Sequence, residues 1–198
     1  MPKQTASNTI GPFFHHILTP EGHGKTGITD NKLAGKKTKG ERIRVEGRIL
    51  DADGKPLRAA MLEIWQANAA GRYNSPVDDR DEAQLDKKFS GFGRVSSGSK
   101  GKFEFETIKP GSLPGTGNAP QAPHINLTLF AAATDIHLFT RLYFSDEEEA
   151  NEIDPVLSSV NAARRDTLIA RRKKTKKGIV YRFDVQVGGD DETVFFAI

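Results

Sequence analysis

A chain of 198 residues that is 36% hydrophobic and 28% charged, with 12 phenylalanines, has the material for one large folded domain and a real core. The lack of cysteine excludes disulfides, thiolate zinc sites and thiol nucleophiles, so any metal must be held by His, Tyr, Asp or Glu. A net charge of +3 is mild, and no nucleic-acid recognition motif accompanies the basic run Arg171 to Lys174 with Lys176 and Lys177, so that run reads as a solvated helix end or loop, while the mild positive field suits an anionic substrate.

Met1 to Ser7 carries no apolar leader, and no stretch approaches the ~18 apolar residues of a membrane span, so a cytoplasmic protein without a membrane partner is expected. Ser7 to Phe14 is a short arm whose two phenylalanines must dock somewhere. Gly22 to Gly40 is polar and glycine-rich and reads as a connection. The expected organisation is therefore an N-terminal arm and loop over 1–40 and one folded domain over 41–198.

From Ile43 the sequence alternates Ile43, Val45, Gly47, Ile49 with Arg44, Glu46, Arg48, the period of a half-buried strand. Asp51 to Pro56 makes a turn. Ala60 to Gln66 is a second strand, Gly91 to Ser96 a third, and Lys102 to Thr107 alternates again as a fourth. A fifth follows at His124 to Phe130 and a sixth at Ile136 to Phe144. Ser145 to Lys174 is acid-rich at its start and has helical composition near Arg164 to Ala170, so short helices are expected near 146–172. Val180 to Val187 and Glu192 to Phe196 close the chain as two more strands. The fold class expected is mainly β, a β-sandwich of about eight strands with an N-terminal arm and those short helices.

The turn-rich loop Lys109-Pro110-Gly111-Ser112-Leu113-Pro114-Gly115 runs into the strand Ala122-Pro123-His124-Ile125-Asn126. On a strand His124 and Asn126 share a face; a His-x-His there would be a two-ligand clamp, but the second position is an amide. Of the other histidines, His15, His16 and His23 read as solvated residues of the arm and loop, and His137 sits mid-strand. Both His124 and His137 have the reading of satisfied core histidines beside that of ligands. Tyr73, at the end of the turn Asn68 to Tyr73, either packs its ring or serves as a phenolate ligand to Fe(III). No phosphate loop, GxSxG elbow or HExxH is present, so phosphoryl transfer and triad hydrolysis find no support.

Thr9-Ile10-Gly11-Pro12-Phe13, Glu63 to Tyr73, Thr107-Ile108-Lys109-Pro110-Gly111 and Ala122-Pro123-His124-Ile125 occur in the order found in the intradiol ring-cleaving dioxygenases, and the chain resembles that family from Thr9 to Ile198 outside the loop Ile17 to Gly40. The resemblance implies, for catalytic members, a non-haem Fe(III) held by two tyrosines and two histidines. Those positions fall here on Tyr73, Leu113, His124 and Asn126, of which only Tyr73 and His124 keep the donor. Pro120 and Gln121 stand where the catalytic pattern carries Trp-Arg. No iron is therefore expected in this chain's own pocket, and these four are vestigial ligand positions.

Within the family the chain resembles the iron-free α type of a two-subunit enzyme. That implies a homologous iron-bearing β subunit as partner, a small aromatic acid and O2 as substrates, and ring opening between the hydroxyl-bearing carbons to a muconate. It also implies that the α arm lines the substrate cavity, which assigns substrate binding to Thr9, Gly11 and Pro12. Gly11 lets backbone approach a ligand, Pro12 stiffens the turn and Thr9 offers a hydroxyl. The basic residue sought after the His124 strand is replaced by Ala131-Ala132-Ala133. Two other readings stand beside this one: a self-sufficient homomeric intradiol dioxygenase with unusual ligands, and a non-enzymatic β-sandwich binding module.

Overall fold

The computed structural model of the chain describes residues 18–20, 24, 29, 31–81, 84–115, 119–131, 134 and 136–197. Alternation builds its strands. In β1 (Arg42–Leu50) Ile43, Val45, Gly47 and Ile49 are buried while Arg44, Glu46 and Arg48 turn outward. β4 (Lys102–Ile108) repeats the pattern with Phe103, Phe105 and Thr107 inward. β2 (Met61–Gln66), β3 (Phe92–Ser96), β5 (His124–Phe130) and β6 (Leu138–Phe144) form the other half of the sheet.

The hydrogen-bonded order is β3-β2-β5-β6-β7-β8-β1-β4, with β7 at Ile169–Thr175 and β8 at Gly178–Arg182; β9 (Val185–Gln186) pairs with β1. β6 joins β7 through only two parallel pairs, Tyr143 with Ile169 and Phe144 with Ala170, so the path folds into two half-sheets. Their inner faces share one core. Leu62, Ile64, Ile125, Leu127 and Leu129 meet Ile43, Val45, Phe103, Phe105 and Tyr181 in it, all at most 4% exposed, and each fully buried apolar side chain contributes about 1.5–3 kcal/mol. The sandwich expected from the sequence is thus present, with nine strands among the described residues.

Three elements differ from the sequence reading. The helices, α1 (Glu148–Ile153), α2 (Pro155–Ser159) and a 3-10 helix (Ala162–Leu168), end at residue 168, and the basic run after them is strand β7. Beyond Ala170 both faces of β7 are largely solvated, so no hydrophobic alternation marks it, and its pairing with β8 from Arg171 to Thr175 makes the strand. The stretch Val180 to Val187 is broken, because the Asp184 carboxylate turns to accept the Arg48 N–H at 2.9 Å and its guanidinium at 2.8 Å. Glu192 to Phe196 is no regular strand; it crosses β6 at the single bridge between Phe139 and Phe196. The polar connection is docked at its end: Leu33 is 7% exposed within the core, its N–H donates to the Glu106 carbonyl at 2.9 Å, and the Glu106 N–H donates to the Asn31 carbonyl at 2.8 Å.

Candidate functional site

The outer face of the half-sheet carries the site. Strand register places Trp65 of β2 opposite Asn126 of β5, and Asn126 opposite Arg141 of β6, so three outward side chains form one row across the strands. The loop 73–80 on one side, and Leu113, Pro114 and Gln121 on the other, line a cavity of about 530 Å³ over that row. Two glycines let these loops close up. A Cβ on Gly71, whose φ is +73°, would lie 1.9 Å from the Ser112 carbonyl oxygen, and one on Gly111 would lie 2.5 Å from that of Ala69. The Gly111 N–H also donates to the Asn68 carbonyl at 3.0 Å, tying one loop to the other.

The first loop is held by charge. Asp78 accepts the Tyr73 N–H at 2.8 Å and both Nε (2.7 Å) and an Nη (2.5 Å) of Arg80, while Arg80 also donates to the Gly71 carbonyl. The hydrogen bonds from Arg80, against the opposing effect of burial and helped by the Tyr73 N–H, hold the Asp78 carboxyl at about 2. The second loop is pinned where Leu113 and Gln121 exchange backbone hydrogen bonds of 3.0 and 2.7 Å.

Tyr73, Leu113, His124 and Asn126, predicted as vestigial ligand positions, all line this one cavity. Asn126 Nδ2 donates to Tyr73 Oη at 2.9 Å, and the Tyr73 ring stacks on Trp65 with centroids 5.3 Å apart. Burial raises the Tyr73 phenol above its ordinary value, although Asn126, Arg141 and Arg80 pull the other way, so it keeps its proton at neutral pH. His124 is 1% exposed, and its Nδ1 lies 2.8 Å from the Ala122 carbonyl oxygen. A carbonyl only accepts, so Nδ1 carries the proton and Nε2 is the ring's acceptor. Burial first, and then the Arg141 charge, lower His124 to about 4, which leaves it neutral at pH 7.

These residues do not fit the ferric ion that the resemblance implies for catalytic members. Leu113 has no donor atom. The Asn126 amide nitrogen is a hydrogen-bond donor directed at the very phenol oxygen that ligation would require as a phenolate. Among the described residues no group of three or more His, Cys, Asp or Glu is placed to hold a metal. His137 does not supply the lacking ligand: it is exposed, lies one residue before β6 rather than within it, and its ring sits between Phe130 and Phe139 at 5.5 and 4.8 Å. Thr9, Gly11 and Pro12, with His15, His16 and His23, lie outside the described residues.

Sequence reasoning missed two residues. Arg141 takes a place in the cavity; it donates to the Gln121 side-chain oxygen at 2.8 Å and approaches the Tyr143 hydroxyl at 3.4 Å. Its position three residues into β6, on the outward side of buried Thr140 and Leu142, was the available signal. The second, Asp154, is fully buried beneath the site. One carboxylate oxygen accepts the Ala122 N–H at 2.8 Å; the other accepts the N–H groups of Val156 and Leu157 at 2.8 Å, capping α2, and the Tyr143 hydroxyl at 3.2 Å. Ala122 in turn fixes His124, so the imidazole orientation traces back to this carboxylate.

A family model described as a dioxygenase matches residues 10–189. The protocatechuate 3,4-dioxygenase alpha chain of Burkholderia cepacia is 41% identical over 201 residues, covering 99% of this chain and 98% of that one. The beta chain of the same enzyme from that organism is 41% identical over 173 residues, covering 84% of this chain and 72% of its own length. Among solved structures, the dioxygenase domain of a dioxygenase carbohydrate-binding protein fusion from Streptomyces sp. SirexAA-E superposes with a TM-score of 0.60 at 22% identity, covering 95% and 97% of the two chains, and shares the fold. The chain belongs to the intradiol ring-cleaving dioxygenase family.

Proposed function

We propose that this chain is the α subunit of a protocatechuate 3,4-dioxygenase, an oxidoreductase subunit that works only with a homologous β subunit. The family uses non-haem Fe(III); in this reading β holds it, and the α chain completes the cavity in which 3,4-dihydroxybenzoate is cleaved with O2 to 3-carboxy-cis,cis-muconate. One observation carries the reading. Two of the four ligand positions, Leu113 and Asn126, lack a suitable donor, and Asn126 turns its NH2 rather than its oxygen toward the third, Tyr73. The match to an alpha chain over almost its whole length supports it.

The contribution of this chain to the reaction is binding and enclosure. Residues 1–40 are the arm and connection of this reading and 41–198 the sandwich that carries them. Thr9, Gly11 and Pro12 form the stretch offered to the partner's cavity: a hydroxyl that can bond a ring substituent, backbone that can approach it closely, and a fixed φ that holds both in place. A stiff wall of this kind excludes water and orients a bound ring without taking a proton from it.

Co-expression with a β homologue tests the proposal. The expected result is a complex that contains iron, consumes O2 with 3,4-dihydroxybenzoate, and shows a raised KM with unchanged iron when Thr9→Val and Pro12→Ala are combined. An iron-loaded, active homo-oligomer of this chain alone would overturn it in favour of a self-sufficient enzyme.

A further inference from the structure

We propose that the cavity between Tyr73 and Arg141 is a ligand site in its own right, which takes a small hydroxylated aromatic monocarboxylate without iron and without turning it over. The inference stands on this chain's pocket and does not require the two-subunit reading.

The cavity, about 530 Å³, falls within the range of small-molecule sites and is large for a single benzoate ring, so the ligand and ordered water share it. Its charge is unevenly distributed. Asp78 and Arg80 neutralise each other through two hydrogen bonds, and Asp79 stands exposed. Arg141 is different. Among the described residues its hydrogen bonds go to neutral oxygens of Gln121 and Tyr143, both from the same Nη, and no carboxylate pairs with it. A half-buried guanidinium with the rest of its fork uncommitted is a receptor for a carboxylate, which it binds through two parallel N–H bonds.

The remaining polar groups set the rest of the ligand. His124 Nδ1 is spent on Ala122, so Nε2 offers an acceptor; Tyr73 Oη already accepts from Asn126 and keeps its own O–H to donate. An acceptor and a donor lining one cavity match a hydroxyl group, which is both. Trp65 and Leu113 supply the apolar surface for a ring. The constellation therefore selects a ring that carries both a carboxylate and a phenol.

Trp65 is the chain's only tryptophan and lines the cavity, so its fluorescence reports on this site in the full chain, with or without a β subunit. Titration with 4-hydroxybenzoate is expected to quench it saturably. The amide 4-hydroxybenzamide, equal in shape but uncharged, and the variant Arg141→Gln with the acid, are each expected to bind roughly 10- to 100-fold more weakly, the loss of a charge-assisted pair. Should Arg141→Gln fold poorly, Val77→Glu at the cavity mouth, where Val77 is 90% exposed, replaces it and weakens the acid several-fold but not the amide. Quenching that does not saturate, equal affinity for acid and amide, or affinity untouched by both variants overturns the proposal. Equilibrium dialysis on the assembled complex carries it further: one labelled 4-hydroxybenzoate more per α/β pair is expected for the native chain than for Arg141→Gln. The iron content of the same sample reads the two-subunit proposal separately.

Discussion

Replacing Asp154 is the sharpest perturbation of the site that leaves every lining residue in place. Its two oxygens satisfy three backbone N–H groups and one tyrosine hydroxyl. Asp154→Ala removes the cap of α2, a loss of about 0.5–2 kcal/mol. It also takes from the Ala122 N–H and the Tyr143 hydroxyl the acceptor that each is bonded to, at about 1–3 kcal/mol each. The sum, about 2.5–8 kcal/mol, is a large share of the 5–15 kcal/mol that separates folded from unfolded chains. Asp154→Asn is expected to cost about 1–3 kcal/mol: its oxygen can keep the cap, but its NH2 then faces the Ala122 N–H, donor against donor. Urea denaturation followed by circular dichroism measures both, with an unchanged m-value showing that the native state alone was affected. A loss below about 1 kcal/mol for Asp154→Ala would refute the reasoning, as would equal losses for the Ala and Asn variants.

His124→Ala is expected to destabilise the chain by about 2–4 kcal/mol through the cavity it opens and the Ala122 carbonyl it leaves unpaired, while the iron content of an α/β complex stays the same; iron lost in proportion would show that this pocket ligates. His124 also sets a pH dependence. It titrates at about 4 in the folded chain against 6.5 unfolded, so the unfolded state takes up the proton first, and stability present above pH 6.5 is lost as pH falls toward 4, by about 3 kcal/mol in all. Asp78, held at about 2 against 3.8, adds its loss only below pH 4, and the two windows separate in a pH series of urea midpoints in which His124→Ala lacks the upper one. Gly71→Ala places a side chain 1.9 Å from the Ser112 oxygen at a positive φ, so a loss of about 3 kcal/mol or more and altered Trp65 fluorescence are expected; wild-type values in both would mean the loops close without this contact. Tyr73→Phe, which deletes only the acceptor of the Asn126 amide, is expected to cost about 1 kcal/mol in the same denaturation assay.

The sandwich was readable wherever one face of a strand is buried and the other solvated, as with Ile43 to Ile49 and Phe103 to Thr107, because burial writes a period of two into the sequence. It was unreadable at Arg171 to Thr175, where the strand projects beyond the core and both faces meet water. Tyr73, Leu113, His124 and Asn126 were named from the resemblance, and they do meet in one cavity. Arg141 and Asp154 escaped because their significance is relational: one depends on register with Asn126 between β5 and β6, the other on a return of the chain from residue 154 to residue 122. Local alternation marks Arg141 as outward-facing but not its partners, and no local pattern encodes Asp154.

The hydrogen bond from Asn126 to Tyr73 links the two positions that lack a donor. A change at Leu113 alone would add a donor beside a phenol still protonated and engaged; a change at Asn126 alone would release that phenol into a site still short of a ligand at Leu113. The two positions are thus coupled: neither Leu113 nor Asn126, changed alone to a donor, would complete a set of four with Tyr73 and His124.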